Sequence, residues 1–177
     1  DADILWKYDM MDELGVFPHN ASNCSVIIDG DTIFVCTSNG QDWTHVNIPS
    51  PQSPSFIALD KNTGELVGED DAGIGPKILH GQWTSPSIGV VNGKKQVYFG
   101  GGDGVLYALD TKPVKEGDSN FLKRAWCFDC VPPEYKKDKA GKAIKYPAAE
   151  GPSEINATPV FYNDRVYVAI GQDPEHG

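Results

Sequence analysis

Short apolar runs, each bounded by a turn, recur along the chain and favour strands over helices. In the clearest case the run 96–99 is followed by a glycine-rich segment, 100–104, and by a second run, 105–109, that ends on Asp110. Runs of four or five residues rich in β-branched and aromatic side chains predict strands, and they are too short for a stable helix. Glycine tolerates the positive φ of tight turns, so the whole segment predicts a β-hairpin.

The strand and turn order of this hairpin recurs in three successive stretches of the chain. An Asp-Gly turn at 29–31 separates the runs 24–28 and 32–36, and Asn-Gly and Asn-Asp stand at equivalent turns later. No stretch carries a 3.6-residue apolar period over three turns, which excludes a helical solenoid. We therefore expect an all-β fold with no helix longer than about two turns, namely a partial β-propeller built of four-stranded antiparallel blades.

The repeats divide the chain into parts of successive blades, and loops take up the length beyond the ~40–50 residues of one blade. A short strand is expected at 3–8, and the stretch 9–23 is expected to be irregular. Because the last part is incomplete, we expect further propeller blades to lie outside this chain. The predicted parts are the end of a preceding blade (1–8), a blade (24–70) with a loop (37–54), a second blade (83–130) with a loop (111–123), an inserted loop (131–154) and the start of a further blade (156–177).

Two of the repeats carry a motif that resembles the PQQ-like, or quinoprotein-type, β-propeller repeat, in which Ala-x-Asp-x-x-Thr-Gly precedes a tryptophan. The tryptophan position of the first repeat holds Gly68, and an insertion displaces that of the second. The resemblance implies a structural motif, with tryptophans packed between blades and the Asp and Thr-Gly turn closing a corner between strands. The motif residues are Trp6 from a preceding blade, Ala58, Asp60, Thr63 and Gly64 in the first repeat, and Ala108, Asp110 and Trp126 in the second.

The resemblance implies one of two functions. Segments 80–83 and 171–177 are similar to secreted bacterial PQQ-like repeat proteins, which favours a non-catalytic module for binding, scaffolding or sensing in the periplasm or at the cell surface. The alternative is a segment of a PQQ- and calcium-dependent alcohol or sugar dehydrogenase. Many such enzymes stack PQQ on a disulfide between adjacent cysteines, and no two cysteines are adjacent here. We predict no catalytic residue and no cofactor in this chain, with PQQ and calcium expected only under the alternative.

The acidic composition restricts the class of partner. Lys and Arg number 15 against 25 Asp and Glu, which gives a formal net charge of −10 at pH 7. Nucleic acids and anionic membranes select basic surfaces, so neither is expected as the main partner. No apolar run approaches the ~18 residues of a membrane span. We therefore expect a protein or a small polar ligand as the partner.

The four cysteines form two pairs along the sequence. Cys24 and Cys36 flank the turn at 29–31 almost symmetrically, so we expect them to face each other across the first hairpin, where a disulfide is possible. Cys127 and Cys130 are followed by Val-Pro-Pro, which fits neither a haem-attachment nor a redox motif. Disulfides in an oxidising compartment, buried free thiols and a structural zinc site all remain open for the four.

Two segments place histidine beside aromatic or acidic residues and are candidate ligand sites. A hydrogen-bonded loop corner is the alternative for each. His19 and His45 lie in loops without ligand-spaced neighbours, and we predict no metal ligand. The candidate residues are His80 and Trp83, just before a strand, and Asp173, Glu175 and His176, on a turn after a strand.

Overall fold

The computed structural model describes residues 3–146, 148 and 151–171, and in that part the chain is mostly β. Its helices are short, and none of those described is long and apolar enough to cross a membrane. They are α1 (Met10–Leu14), α2 (Pro133–Lys136) and a 3-10 helix (Gly75–Lys77). The strands are β1 (Ile27–Asp29), β2 (Thr32–Cys36), β3 (Phe56–Asp60), β4 (Leu66–Asp70), β5 (Ser87–Val91), β6 (Lys94–Gly100), β7 (Val105–Asp110), β8 (Val114–Glu116), β9 (Ser119–Leu122), β10 (Arg124–Asp129), β11 (Val160–Tyr162) and β12 (Arg165–Tyr167).

The described strands form two larger sheets and one hairpin. The first sheet has the order β1-β2-β3-β4-β9-β8, and its first four strands are antiparallel neighbours that follow one another along the chain. The second sheet has the order β5-β6-β7-β10 and is antiparallel throughout. The strands β11 and β12 pair as an antiparallel hairpin. The expectation of a mostly β chain with antiparallel sheets is confirmed.

The segment 111–123, predicted as a loop, forms the strands β8 and β9 instead. These strands pair with each other, and β9 runs parallel to β4 with Phe121 opposite Glu69. The sequence pattern is weak because β8 is exposed along its whole length. Only the end of β9 is deeply buried, at Leu122. The segment forms strands because the edge of the first sheet supplies hydrogen bonds to β9. Such a tertiary contact is not reflected in the local strand propensity.

The N-terminal segment also differs from its prediction as a strand followed by an irregular stretch. Residues 3–9 form no strand, and Trp6 packs instead against a buried cluster on the first sheet that includes Ile57. The helix α1 follows because Asp9 caps its first turn by accepting two backbone N–H groups. Gly15 ends the helix in the left-handed conformation, with φ 63°.

The core lies between the two larger sheets and follows the alternation of side chains along each strand. A column of stacked aromatic rings joins the sheets, and all four of its side chains are almost fully buried. Ring centroids lie 6.4 Å apart between Phe34 and Phe56, 4.5 Å between Phe56 and Phe99, and 5.4 Å between Phe99 and Tyr107. Because β2 and β3 supply the first two rings and β6 and β7 the others, the column fixes the two sheets against each other.

The carboxyl ends of β2 and β6 meet at one edge of this core. The loop after β2 and the segment before β5 are joined by a backbone hydrogen bond from Gln41 N–H to the His80 carbonyl, 2.9 Å. The buried Gln82 amide donates to the Asn39 carbonyl at 3.2 Å, and its oxygen accepts the Gly102 N–H at 3.3 Å. One buried side chain therefore ties together three loops from both sheets.

Candidate metal-binding site

The motif of the first repeat forms a corner between β3 and β4. The Asp60 carboxylate accepts two backbone N–H groups of the turn at 2.7 and 2.9 Å, the second from Thr63. Gly64 has φ 78°, and a Cβ there would lie 2.6 Å from the Trp6 ring. The Trp6 indole N–H donates to a carbonyl of the same turn at 2.8 Å. These contacts give the motif residues a role in holding the turn.

The motif residues of the second repeat lie on adjacent strands. Ala108, like Ala58 in the first repeat, is fully buried. It lies opposite Trp126 in the β7–β10 pair, and the Trp126 indole N–H donates to the Gln96 side chain at 3.2 Å. Asp110 ends β7, where its N–H donates to a backbone carbonyl at 2.9 Å. These residues therefore take part in the packing and hydrogen bonding of the second sheet.

Cys24 and Cys36 lie close together, and both are free thiols. The Cys24 thiol donates to the Cys36 carbonyl at 3.0 Å, and the Cys36 thiol lies 3.6 Å from the Gln82 carbonyl oxygen. The hydrogen bond with Cys24 and complete burial raise the pKa of the Cys36 thiol. A disulfide between them in an oxidising compartment, one of the possibilities that the sequence leaves open, stays a prediction. Cys127 and Cys130 are free thiols as well.

Three histidines from three loops meet where β2 and β6 end. His19, His45 and His80, called here the histidine cluster, each offer one ring nitrogen, and these nitrogens lie within 4.8 Å of one another. Nε2 of His19 and Nε2 of His45 are 3.2 Å apart. His19 and His80 are buried, each 1% exposed, whereas His45 is exposed to solvent. The cluster can therefore be reached from one side.

The position of His19 depends on a close approach of two loops. Its N–H donates to the Ser38 carbonyl at 3.3 Å, and Gly40 N–H donates to the Phe17 carbonyl at 2.9 Å. A Cβ at Gly40 would lie 2.7 Å from the His19 Cβ and 2.9 Å from the His80 carbonyl oxygen. Only glycine fits there, so Gly40 permits both imidazoles to approach each other.

A small closed loop carries His45. Its base is the backbone hydrogen bond from Asp42 N–H to the Asn47 carbonyl, 2.9 Å, and the Asp42 carboxylate accepts from the side chains of Thr44 and Asn47. Those two hydrogen bonds lower the pKa of Asp42 to about 2. His45 itself has φ 57°, a conformation that costs roughly 1–2 kcal/mol for an L-residue. The loop thus holds His45 over the cluster in a strained backbone conformation, which is common at functional sites.

Aromatic groups and a hydroxyl surround His80. The Trp83 ring stands edge-on to it, with centroids 5.2 Å apart and an interplanar angle of 87°. Nδ1 of His80 lies 2.8 Å from the Tyr146 hydroxyl. The Trp83 indole N–H donates to the His19 carbonyl at 3.4 Å, which links the two buried histidines.

A buried carboxylate lies beside the cluster. Glu154 is 0% exposed, and one of its oxygens lies 3.8 Å from Nδ1 of His80. Neither carboxylate oxygen has a hydrogen-bond partner among the residues that the structure describes. The backbone next to it is anchored, because Ile155 N–H donates to the Gly101 carbonyl at 3.3 Å and the Ile155 carbonyl accepts from the Thr84 hydroxyl. A buried carboxylate without hydrogen bonds is costly unless a positive charge compensates it.

The hydrogen bonds of His19 determine its tautomer. Nδ1 lies 2.8 Å from the carbonyl oxygen of Gln41. A carbonyl can only accept, so Nδ1 carries the proton, and Nε2 of the neutral ring presents a lone pair. That lone pair faces the other members of the cluster, since Nε2 is the atom nearest His45. The arrangement is suited to a metal ligand.

Comparison with known proteins gives a likeness of fold. No protein-family profile and no curated protein sequence matches the chain. Among solved structures it is similar to BamB from Moraxella catarrhalis, with a TM-score of 0.50 and 21% identity over 82% of this chain. The chain spans 33% of that protein's length. The chain has a β-propeller-like fold.

The propeller-like fold brings together residues that the sequence separates. Of the predicted site residues, His80 and Trp83 lie in the cluster region, whereas Asp173, Glu175 and His176 lie outside the described residues. His19 and His45 have no ligand-spaced neighbours along the sequence, and the members of their cluster come from different loops. No pattern in the sequence around His19 or His45 indicates this, because the cluster forms between loops that are far apart along the chain.

Proposed function

We propose that this chain is part of a non-catalytic β-propeller that works as a binding or scaffolding module. Its binding region in this proposal is the histidine cluster with Trp83, Tyr146 and Glu154. The observation that carries the proposal is the convergence of three loops from two rigid sheets on two buried imidazoles, one exposed imidazole and a buried carboxylate. Polar groups presented by loops on a rigid sheet scaffold are typical of binding sites.

An exposed aromatic ring beside the cluster supports the same proposal. Trp43 is 66% exposed, and its ring centroid lies 6.0 Å from that of His19. Large aromatic side chains that remain in water are enriched where proteins bind partners or ligands. A ligand in the cluster would contact this ring at the solvent side.

We also propose a blade assignment, a location and a class of partner for the protein. We take β1–β4 and the second sheet as two four-stranded PQQ-like blades and the hairpin β11–β12 as the start of the next, with further blades outside this chain. The periplasm or the cell surface is the proposed location, as for the secreted PQQ-like repeat proteins that the sequence resembles. The net charge of −10 supports a protein or a small polar ligand as partner and disfavours nucleic acid.

A dehydrogenase assay tests the proposal against its alternative. The purified full-length protein is supplied with PQQ and calcium and assayed for dye-linked oxidation of alcohols and sugars, and PQQ is titrated separately. We expect no turnover and no saturable PQQ binding. Turnover that requires both PQQ and calcium would instead identify a PQQ-dependent dehydrogenase.

A further inference from the structure

We propose that the histidine cluster binds a divalent transition-metal ion of the Zn²⁺ type through one imidazole nitrogen each of His19, His45 and His80. The inference rests on the proposed function, because it names the ligand class of the binding region described there. It gives a chemical reason for three imidazoles and a buried carboxylate to share one small volume.

The distances in the cluster are close to those of a metal site. Imidazole nitrogens bound to Zn²⁺ lie about 2.0–2.1 Å from the ion, so two ligands of a tetrahedral site are roughly 3.3 Å apart. The His19 and His45 Nε2 atoms are 3.2 Å apart without further movement. The nitrogen of His80 lies within 4.8 Å of the others, so it must approach by at most about 1.5 Å. A side-chain rotation of this size does not require the sheets to move.

The outer hydrogen bonds of the buried imidazoles are those that metal ligands need. A ligating histidine usually donates its second ring N–H to a carbonyl or a carboxylate, which fixes the tautomer. For His19 the acceptor is the Gln41 carbonyl, so Nε2 is the metal-facing nitrogen. For His80, Nδ1 faces the Tyr146 hydroxyl and Glu154, so we assign Nε2 as its ligand atom.

Glu154 is an independent observation that points to a cation. Its carboxylate is fully buried, and it has no hydrogen-bond partner among the described residues. A carboxylate charge in such a place is strongly destabilising unless an opposite charge lies near. A divalent ion held by three neutral imidazoles supplies that charge, and Glu154 then orients and polarises His80 as an outer-sphere carboxylate.

The ligand set also selects the kind of ion. Imidazole nitrogen suits zinc, copper, nickel and iron, whereas calcium and magnesium require several oxygen ligands. Three protein ligands leave a fourth position, as in zinc sites that bind water or a substrate. His45 is exposed, and the ring centroid of the exposed Trp43 lies 6.0 Å from that of His19. We assign the fourth position to this exposed side, where an anionic or carbonyl group of a partner would bind the metal.

The test is a titration of Zn²⁺ into the full-length protein after removal of metal with a chelator, followed by calorimetry. We expect saturable binding at one Zn²⁺ per cluster, no comparable binding of Ca²⁺, and visible absorption of a tetrahedral site when Co²⁺ replaces Zn²⁺. His45→Ala is the main variant because its side chain is exposed, so its removal leaves no buried cavity. It should weaken Zn²⁺ binding at least tenfold, and Glu154→Gln should weaken it roughly 10–100-fold.

The matched control is Val46→Ala, which removes an exposed side chain from the same loop and should bind Zn²⁺ like the unchanged protein. Circular dichroism verifies that each variant is folded. Failure of Zn²⁺ to bind, or equal binding by His45→Ala and Val46→Ala, would mean that the imidazoles form only a hydrogen-bonded corner, and would overturn the inference. Turnover with PQQ and calcium would overturn the proposed function instead, whatever the Zn²⁺ titration gives.

Discussion

The turns that follow β3 and β7 begin with the same residue type, Asp60 and Asp110, yet only the first leads directly into the next strand of its own sheet. After Asp60 the chain turns at Gly64, against Trp6, and continues as β4. After Asp110 the chain leaves the second sheet, forms the hairpin β8–β9 on the edge of the first sheet and returns as β10. The same residue type thus precedes a tight turn within one sheet in the first case and an insertion that pairs with the other sheet in the second.

The inserted hairpin also packs against Gly68, the position where the PQQ-like resemblance predicts a tryptophan. A Cβ at Gly68 would lie 2.9 Å from Cγ of Pro113, at the start of the inserted hairpin. A larger side chain has no room there while the hairpin is in place. Lys123, just after β9, forms ion pairs with Asp71 and, at 2.9 Å, with Glu116. Gly68 and the inserted hairpin, which look independent in the sequence, are therefore in direct contact.

Glycine substitutions in the β3–β4 corner and in the inserted hairpin should differ strongly in their cost. Gly64→Ala should lower the free energy of unfolding by about 3 kcal/mol, because it adds the cost of a positive φ to a clash with the Trp6 ring. Gly117→Ala, in the turn between β8 and β9, has φ 61° but no atom within 4 Å of the new Cβ. It should cost only about 1 kcal/mol. Urea unfolding of both variants measures the difference, and equal losses would contradict the role given to Trp6.

The last residues of β4 and β10 differ in burial, and the buried one should make the stability depend on pH. Asp70 is buried and accepts three backbone N–H groups at 2.7, 2.7 and 3.1 Å, whereas Asp129, its counterpart, is exposed. Burial raises the pKa of Asp70 to about 6. The folded protein then holds this proton at pH values where the unfolded chain, with a pKa near 3.9, has lost it. Asp70 therefore makes the free energy of unfolding rise as pH falls from about 6 to about 4, by up to about 3 kcal/mol.

Denaturant unfolding between pH 4 and pH 8 checks this, with the difference between the unchanged protein and Asp70→Asn as the readout. The advantage of the unchanged protein should grow toward acid. Asp129→Asn, which removes an exposed carboxylate from the corresponding strand end, is measured under the same conditions as the control. A difference for Asp70→Asn that is constant with pH would rule out the assigned pKa.

The link between Gly68 and the hairpin should give the smallest effect. Gly68→Ala should cost about 1–2 kcal/mol through its contact with Pro113. Pro113→Gly removes the two contacting carbons, so the loss from Gly68→Ala should be smaller in that background by at least about 0.5 kcal/mol. A double-mutant cycle by urea unfolding measures the coupling. Strict additivity would show that the missing tryptophan and the insertion are unrelated.

The sequence predicts those parts of the fold that depend on local patterns. The Asp-Gly turn at 29–31 and the glycine-rich turn at 100–104 lie between the strands that they predict. The strands in the segment 111–123 and their pairing partner could not be predicted. These strands are mostly polar, and they are stabilised by pairing with the edge of the first sheet, which is distant in the sequence. The prediction of a strand at 3–8 was wrong for the opposite reason. Apolar side chains of this segment pack on the face of a sheet, and its backbone does not pair with a strand.

The candidate site was predictable only in part. His80 and Trp83 could be singled out because they lie three positions apart, just before a strand. His19 and His45 join them only through Gly40, whose missing side chain permits the loops to approach. That approach depends on two loops that local reasoning treats separately. Glu154 lies in the segment predicted as an inserted loop, and nothing in its surroundings in the sequence indicates that it is buried.

The parallel pairing of β9 with β4 also has a consequence for folding during synthesis. The strand β4 emerges from the ribosome before β5–β7 and long before β9, so its outer edge remains without a partner in the meantime. An unpaired strand edge is the part of a nascent chain most prone to pair with another molecule. Pairing over such a long sequence separation is also slow to form. The first sheet therefore cannot be completed until β5–β7 and the inserted hairpin have been synthesised, so that the folding of the two sheets is coupled.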